Sequence, residues 1–448
     1  MMKRSLLSSQ SEGVERRSKA RLARPSLSCT PLTFLLAGFT WLSLSYLLGV
    51  ALLLGLVHGT PLPHWLKPMH VHGALLGGLL QLIIGGFLFS LARADDRPNA
   101  YAASHSSLFW TFNGATVSLL VSFWLGHMTM TGVTALVLIG IVIWISARAW
   151  LGIGKVYRRP AGVGWIARTA LVALLFGLLA AALMAFRVME GYHSYLRLFH
   201  IHFLVLGFLT ITFILVLHQI LPPLMQAPLA SHALVRLALW FLPVGFVALL
   251  GGFAMSSLWV EIAVGGLLVA AVTLCTYDFL VGWIKSGAPE NAASDHLLIG
   301  VCFLFLTTAA GLTMAANYLR TPSVMPIGSL HLVAYTHLAF IGFMTQVVCG
   351  SLATGVPEIL AVSRVPNSRK REGYRAQLDR VMNRWRTVQL AGMSLGTMAL
   401  VLLAALTWSV PLGSLYVQIT VWVGAGLLIL SLTVFAVKLA WAVGLRPS

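Results

Sequence analysis

The sequence predicts an all-α polytopic membrane protein, with twelve transmembrane helices in three pseudo-symmetric four-helix units. Three observations predict it. The chain of 448 residues is 58% hydrophobic and 9% charged, with a mean hydropathy of +0.88, which excludes a soluble domain. Twelve apolar runs are long enough to cross a hydrocarbon core of ~30 Å, which takes ~20 residues of helix. A short histidine–glycine signal recurs three times at even spacing, and a repeat of that kind organises a whole fold. Low proline content and the lack of short alternating segments favour helices over a barrel.

In order, residues 1–31 form a basic arm carrying Lys3, Arg4, Arg16, Arg17, Lys19, Arg21 and Arg24, too long and polar for a simple cleaved leader. The membrane domain covers 32–441. Its spans are expected at about 32–57, 68–91, 106–126, 129–147, 165–186, 198–220, 233–255, 258–281, 296–316, 326–353, 388–408 and 415–441. One sizeable loop, 360–386, is rich in arginine, and 442–448 is a short tail. No soluble stretch is long enough to fold separately. Cys29, Cys275, Cys302 and Cys349 form no CxxC and read as packing residues.

Basic residues set the orientation. With the N-terminus in the cytoplasm, all 30 Lys and Arg except Lys67, Arg187, Arg197 and Arg320 fall on the cytoplasmic side. Both termini and the 360–386 loop are then cytoplasmic, in a membrane of the bacterial inner (plasma) type. The net charge of +18 is explained by topology, with no nucleic acid partner needed; a basic loop beside a bilayer also attracts anionic lipid.

The repeated signal reads His-Val-His-Gly-Ala-Leu-Leu-Gly-Gly at 70–78, His-Ile-His-Phe-Leu-Val-Leu-Gly-Phe at 200–208 and Tyr-Thr-His-Leu-Ala-Phe-Ile-Gly-Phe at 335–343, with His331 upstream in the third copy. Aligned on His72, His202 and His337, each copy has a glycine five residues on: Gly77, Gly207 and Gly342. Spans 2, 6 and 10 all run inward, so His70, His72, His200, His202, His331 and His337 gather in the outer half of the membrane. Histidine is costly there and marks a site. Residues at i and i+2 face ~200° apart on an α-helix, so the two histidines of one helix address different neighbours. His70 stands two turns above Gly77 and His200 above Gly207, which predicts a ligand nitrogen over a gap wide enough for the edge of a flat macrocycle; haem iron is held by such axial histidines. A single membrane histidine is equally well explained by an interhelical hydrogen bond, and a glycine by close packing. Six in one layer at a fixed phase go beyond packing.

The remaining polar residues say less. His58, His64, His127 and His193 lie at outer ends. His105, His218, His232 and His296 lie near the cytoplasmic side, where His218 and His232 offer an alternative second site. Arg187 and Arg197 flank the outer mouth of span 6 and suit haem propionates or, equally, the interface, with Glu190 between them. Glu261 and Asp278, both on span 8, are the intramembrane acids. Trp65, Tyr192, Tyr195 and Trp259 are belt aromatics.

Twelve spans with histidines on the second, sixth and tenth near the outer face resemble subunit I of the haem-copper oxidases. The HxH followed by glycine is similar to the tenth-helix motif of the cbb3-type and nitric-oxide-reductase branches, and the form at His200–Phe208 is similar to the NnrS family, membrane proteins with haem and copper linked to nitric oxide. The resemblance covers 30–441. It implies a low-spin haem on His70 or His72, haem ligation by His331 and His337 on the tenth helix, and a copper ligand at His200 or His202. The seventh span, Leu234–Met255, lacks the oxidases' His-His pair, so an oxidase-type haem-copper centre, and oxygen reduction with it, is not expected. The expected cofactor is haem b, one or two copies, with copper an open second.

Three functions follow as expectations. The first is a haem protein acting in respiratory electron transfer or in reaction with O2 or nitric oxide, a possible oxidoreductase fed by a donor protein or quinol, since no CxxCH attachment motif is present. The second is an NnrS-like nitric-oxide-response protein without turnover. The third is a metal-handling protein or transporter using the same histidines.

Overall fold

The computed structural model describes residues 29–94, 105–156, 163–226, 232–287 and 290–447, with the side chain of His232 excepted; most of the basic arm lies outside these. The described residues are helical, with no strand among them. Twelve helices are long and apolar enough to cross a membrane, so the chain is an integral membrane protein. In chain order they are α1 (Pro31–His58), α2 (Leu66–Ala94), α3 (Ser106–Leu125), α4 (Met128–Val156), α5 (Val163–Ala185), α6 (Glu190–Met225), α7 (Ala233–Ala254), α8 (Leu258–Lys285), α9 (Ala292–Asn317) and α10 (Ser329–Arg364), then, after the connection that follows α10, α12 (Arg386–Leu406) and α13 (Leu415–Gly444).

That connection is not the loop the sequence suggests. Span 10 continues to Arg364, and Ser368–Asn383 forms a further helix, α11, started by Asn367, whose side chain accepts from the Arg369 amide at 3.0 Å. Tyr374, Leu378, Val381 and Met382 make its buried face and the arginines its outer one, the stripe of a helix packed on a larger body.

The histidine-bearing helices α2, α6 and α10 each have half or more of their most apolar stretch buried, and α6 and α10 have the largest share of the twelve. Each is interrupted by an eight-residue π-helical segment: Gly73–Leu80, Phe203–Thr210 and Leu338–Thr345. Each segment starts on the residue after the aligned histidine, His72, His202 or His337. The wider i→i+5 turn frees side-chain hydroxyls to reach the fifth carbonyl back: Thr210 donates to Val205 O at 2.8 Å and Thr345 to Phe340 O at 2.7 Å. These segments pack on the preceding span, α1, α5 and α9 respectively. The triplicate signal is therefore a repeated local conformation, and π-turns of this kind concentrate at functional sites.

The glycines share a face with the histidines above them, as an α-helical period predicts: His70 bonds Ser45 O of α1 and Gly77 abuts Trp41 of the same helix, while His200 bonds Gly177 O of α5 and Gly207 abuts Ala173 of α5. The space beside the glycines, however, is packed. A Cβ on Gly77 would meet Trp41 Cγ at 2.7 Å, one on Gly342 would meet Phe303 Cδ1 at 2.5 Å, and one on Gly207 would press on Phe246 and on Ala173 Cβ at 2.8 Å. Trp41 is itself tied by Nε1 to Asn113 Oδ1 at 2.9 Å. The expected gaps under the histidines are filled by rings.

Candidate metal centre

The first and second copies place their histidines alike. His70 Nδ1 donates to Ser45 O of α1 at 2.6 Å, and His200 Nδ1 to Gly177 O of α5 at 2.8 Å. At the same position the third copy has Tyr335, whose hydroxyl lies against Gly311 of α9. The aligned histidines bond within their own helix: His72 Nδ1 to Pro68 O at 2.9 Å, His202 Nδ1 to Leu198 O at 2.8 Å and His337 Nδ1 to Val333 O at 2.7 Å. In all five the carbonyl fixes the proton on Nδ1. The Nε2 lone pair then points away from the bonded backbone, which is the tautomer a metal needs, held by the partner that commonly orients it.

Two rings come together across helices. His70 of α2 and His337 of α10 have centroids 6.4 Å apart and planes within 6° of parallel. An ion between two imidazoles needs a metal–nitrogen bond of ~2 Å on each side, which together with the reach from nitrogen to ring centre sets the centroids roughly 6 Å apart. The separation of the two rings is of that order. His72 and His200 lie within electrostatic range of one another but stack on no common partner; His72 packs on Phe123 at 4.8 Å and His202 on Phe253 at 4.5 Å.

His331 does not join them. It sits one turn from the start of α10, its Nδ1 accepts the Gly328 amide at 3.1 Å, and its ring lies on Trp408 at 4.8 Å. With Nδ1 an acceptor, Nε2 carries the proton, the reverse of the other five. The expected pair on α10 is therefore a single histidine, His337. Arg187 and Arg197 are exposed at the end of α5 and in the first turns of α6, with no ion pair among the described residues.

Among the described residues no three His, Cys, Asp or Glu side chains converge into a metal-binding group. The haem test is divided. The axial donors fit, while the glycine clearance assigned to a porphyrin edge is taken by Trp41, Phe246 and Phe303.

A second polar cluster lies across α9, α10, α12 and α13, and its members, scattered over four spans, carry no shared motif. Lys438 Nζ donates to Gln389 Oε1 at 2.6 Å; Gln389 Nε2 donates to His296 Nε2 at 2.8 Å; His296 Nδ1 donates to Gln346 Oε1; Gln346 Nε2 donates to Ser394 Oγ at 3.3 Å. Lys438, Gln389, His296 and Gln346 are all fully buried. Lys438, expected on the cytoplasmic side among the topology-setting cations, is inside the helix bundle. Both nitrogens of His296 are occupied, so it has no lone pair for a metal. A cavity of about 930 Å3 lies between α2, α4, α5, α6 and α10, with His218 and Gln219 among its walls and Arg93 and Glu358 at one end. His218 donates from Nδ1 to Ile214 O at 2.8 Å and packs at a tilt against Phe279; its proposed partner His232 lies outside the described side chains.

No family model matches this chain, and no curated protein matches it.

Proposed function

We propose that this protein binds a b-type haem between α2 and α10, where His70 and His337 would hold the iron, and acts in membrane electron transfer. The observation that carries the proposal is the parallel pair of rings with Nδ1 protons pinned by Ser45 O and Val333 O. A haem iron held by two imidazoles supplies one-electron transfer. His72, His200 and His202, each with Nδ1 bonded to a backbone carbonyl, would be the residues to hold a second haem, which would supply reaction with nitric oxide or O2. Electrons then come from a quinol or a donor protein. The proposal includes the three-unit arrangement, supported by the three π-segments each packed on its preceding span. It also includes a bacterial-type inner membrane with both termini cytoplasmic, supported by the distribution of basic residues.

A second reading rests on the filled glycine gaps. Two imidazoles facing each other with little room around them suit a bare soft ion such as copper(I), and imidazole is a good copper ligand. The protein is then a metal-handling one. The absorption spectrum of the purified full chain separates the two. A Soret band lost in both His70→Ala and His337→Ala supports haem. A colourless protein with stoichiometric copper, lost in the same variants, supports the second reading. Neither haem nor copper in the wild-type protein refutes both.

A further inference from the structure

The arginines around α11 fall into two groups. Arg375 pairs with Glu358 and with Asp379 at 3.1 Å, and Arg386 with Glu290 at 2.9 Å and Asp295 at 3.3 Å. Arg364 donates to the carbonyls of Leu445 and Val443, and Arg371 to those of Val365 and Pro366. These side chains hold the connection against the bundle. Arg380 and Arg384, by contrast, have no carboxylate or carbonyl partner among the described residues. They line a cleft of about 280 Å3 with Gln377, Val381, Trp441 and Leu445, and no acid contributes to its walls.

The cleft has a definite depth. Trp441 lies in the last turn of α13 and Trp385 immediately before α12; both are exposed, at 40% and 46%. Exposed indoles at span ends sit at headgroup level. The Arg384 guanidinium lies over both rings, 4.8 Å from Trp385 and 5.0 Å from Trp441, an arrangement that fixes it in place and leaves its edge to donate. Arg380 is one turn away on α11. Two guanidiniums, an amide and an apolar wall from Val381 and Leu445 thus meet at the membrane edge, on the side with most of the chain's basic residues. Guanidiniums match phosphate oxygens with paired donors, and the apolar wall suits the start of an acyl chain.

We infer that the cleft formed by Gln377, Arg380, Arg384 and Trp441 is a binding site for the phosphate headgroup of an anionic phospholipid. This inference stands apart from the metal centre, which is at the other end of the bundle. It is narrower than attraction of a basic segment to a charged surface, because it selects two arginines out of the whole basic stretch.

Native mass spectrometry of the full chain tests it, with phosphatidylglycerol and phosphatidylcholine titrated in turn. Wild type should retain phosphatidylglycerol selectively. At roughly fivefold for each cation near the headgroup, Arg380→Ala with Arg384→Ala should weaken retention about 25-fold. Arg369→Ala with Lys370→Ala, exposed at the far end of α11, should leave it unchanged. Arg380→Lys with Arg384→Lys, which keeps both charges and guards against misfolding of the alanine variant, should retain part of the affinity. Equal losses in the Arg369/Lys370 variant would mean diffuse attraction and overturn the site. So would undiminished retention in a monodisperse alanine variant, or displacement of the lipid by inorganic phosphate alone at matched concentration.

Discussion

Replacing Gln389 with leucine tests the buried polar chain. The side chain is nearly isosteric and the backbone carbonyl keeps its bond from Ser431 Oγ at 2.6 Å, so the change acts on the amide alone. It removes the acceptor of Lys438 Nζ and the donor to His296 Nε2. Stranding a buried cation costs about 3–5 kcal/mol, and stranding a neutral acceptor ~1–3 kcal/mol more. The loss should therefore reach about 4–8 kcal/mol, enough to unfold a marginal membrane protein. Lys438→Met alone removes the charge and leaves only Gln389 Oε1 unmet, at ~1–3 kcal/mol. The double variant should sit well above Gln389→Leu, because removing both partners of a buried pair costs little. Unfolding free energies from denaturing-detergent titration in mixed micelles measure all three. Additive losses across the cycle, or a Gln389→Leu loss below about 1 kcal/mol, would refute the idea that the chain is one coupled unit.

The other expectations are quicker to state. His331→Ala should leave any Soret band or copper content intact, since its ring lies on Trp408, whereas His70→Ala and His337→Ala should remove it. Gly207→Leu should destabilise by about 1–3 kcal/mol or more through crowding of Phe246 and Ala173, read as a lower melting temperature whether or not a cofactor is present. A cysteine introduced at Arg371 should resist impermeant reagent on intact cells and react after permeabilisation; labelling from outside would reverse the orientation. His105, just before α3, is held below its usual value of 6.5 by burial first and then by the Arg148 cation. Its protonation favours the unfolded chain, so stability should fall as pH drops through 6.5 and below, and His105→Gln should flatten that slope in a thermal-melt series.

What the sequence determined by itself was the membrane architecture. Hydropathy over a fixed thickness leaves a spanning chain little choice but helices, so twelve runs became twelve helices with ends shifted by a few residues. The three-copy spacing also marked the three helices that carry π-helical segments. The amphipathic α11 was obscured because its arginines dominate the composition, and only the bundle supplies the surface that its four buried residues cover. Tertiary structure alone decided which histidines meet. The π-turns after His72, His202 and His337 were not legible in the sequence, nor were Trp41, Phe246 and Phe303, which neighbouring helices pack against the glycines. His70 and His337 occupy different positions in their copies of the signal, so no alignment of the repeat could pair them; the packing of α2 beside α10 did. Lys438 shows the same limit. In sequence it is one basic residue near the end of a span, and only the convergence of Gln389, His296 and Gln346 from three other helices makes its burial possible, because a cation inside the bundle must find its hydrogen-bond partners there.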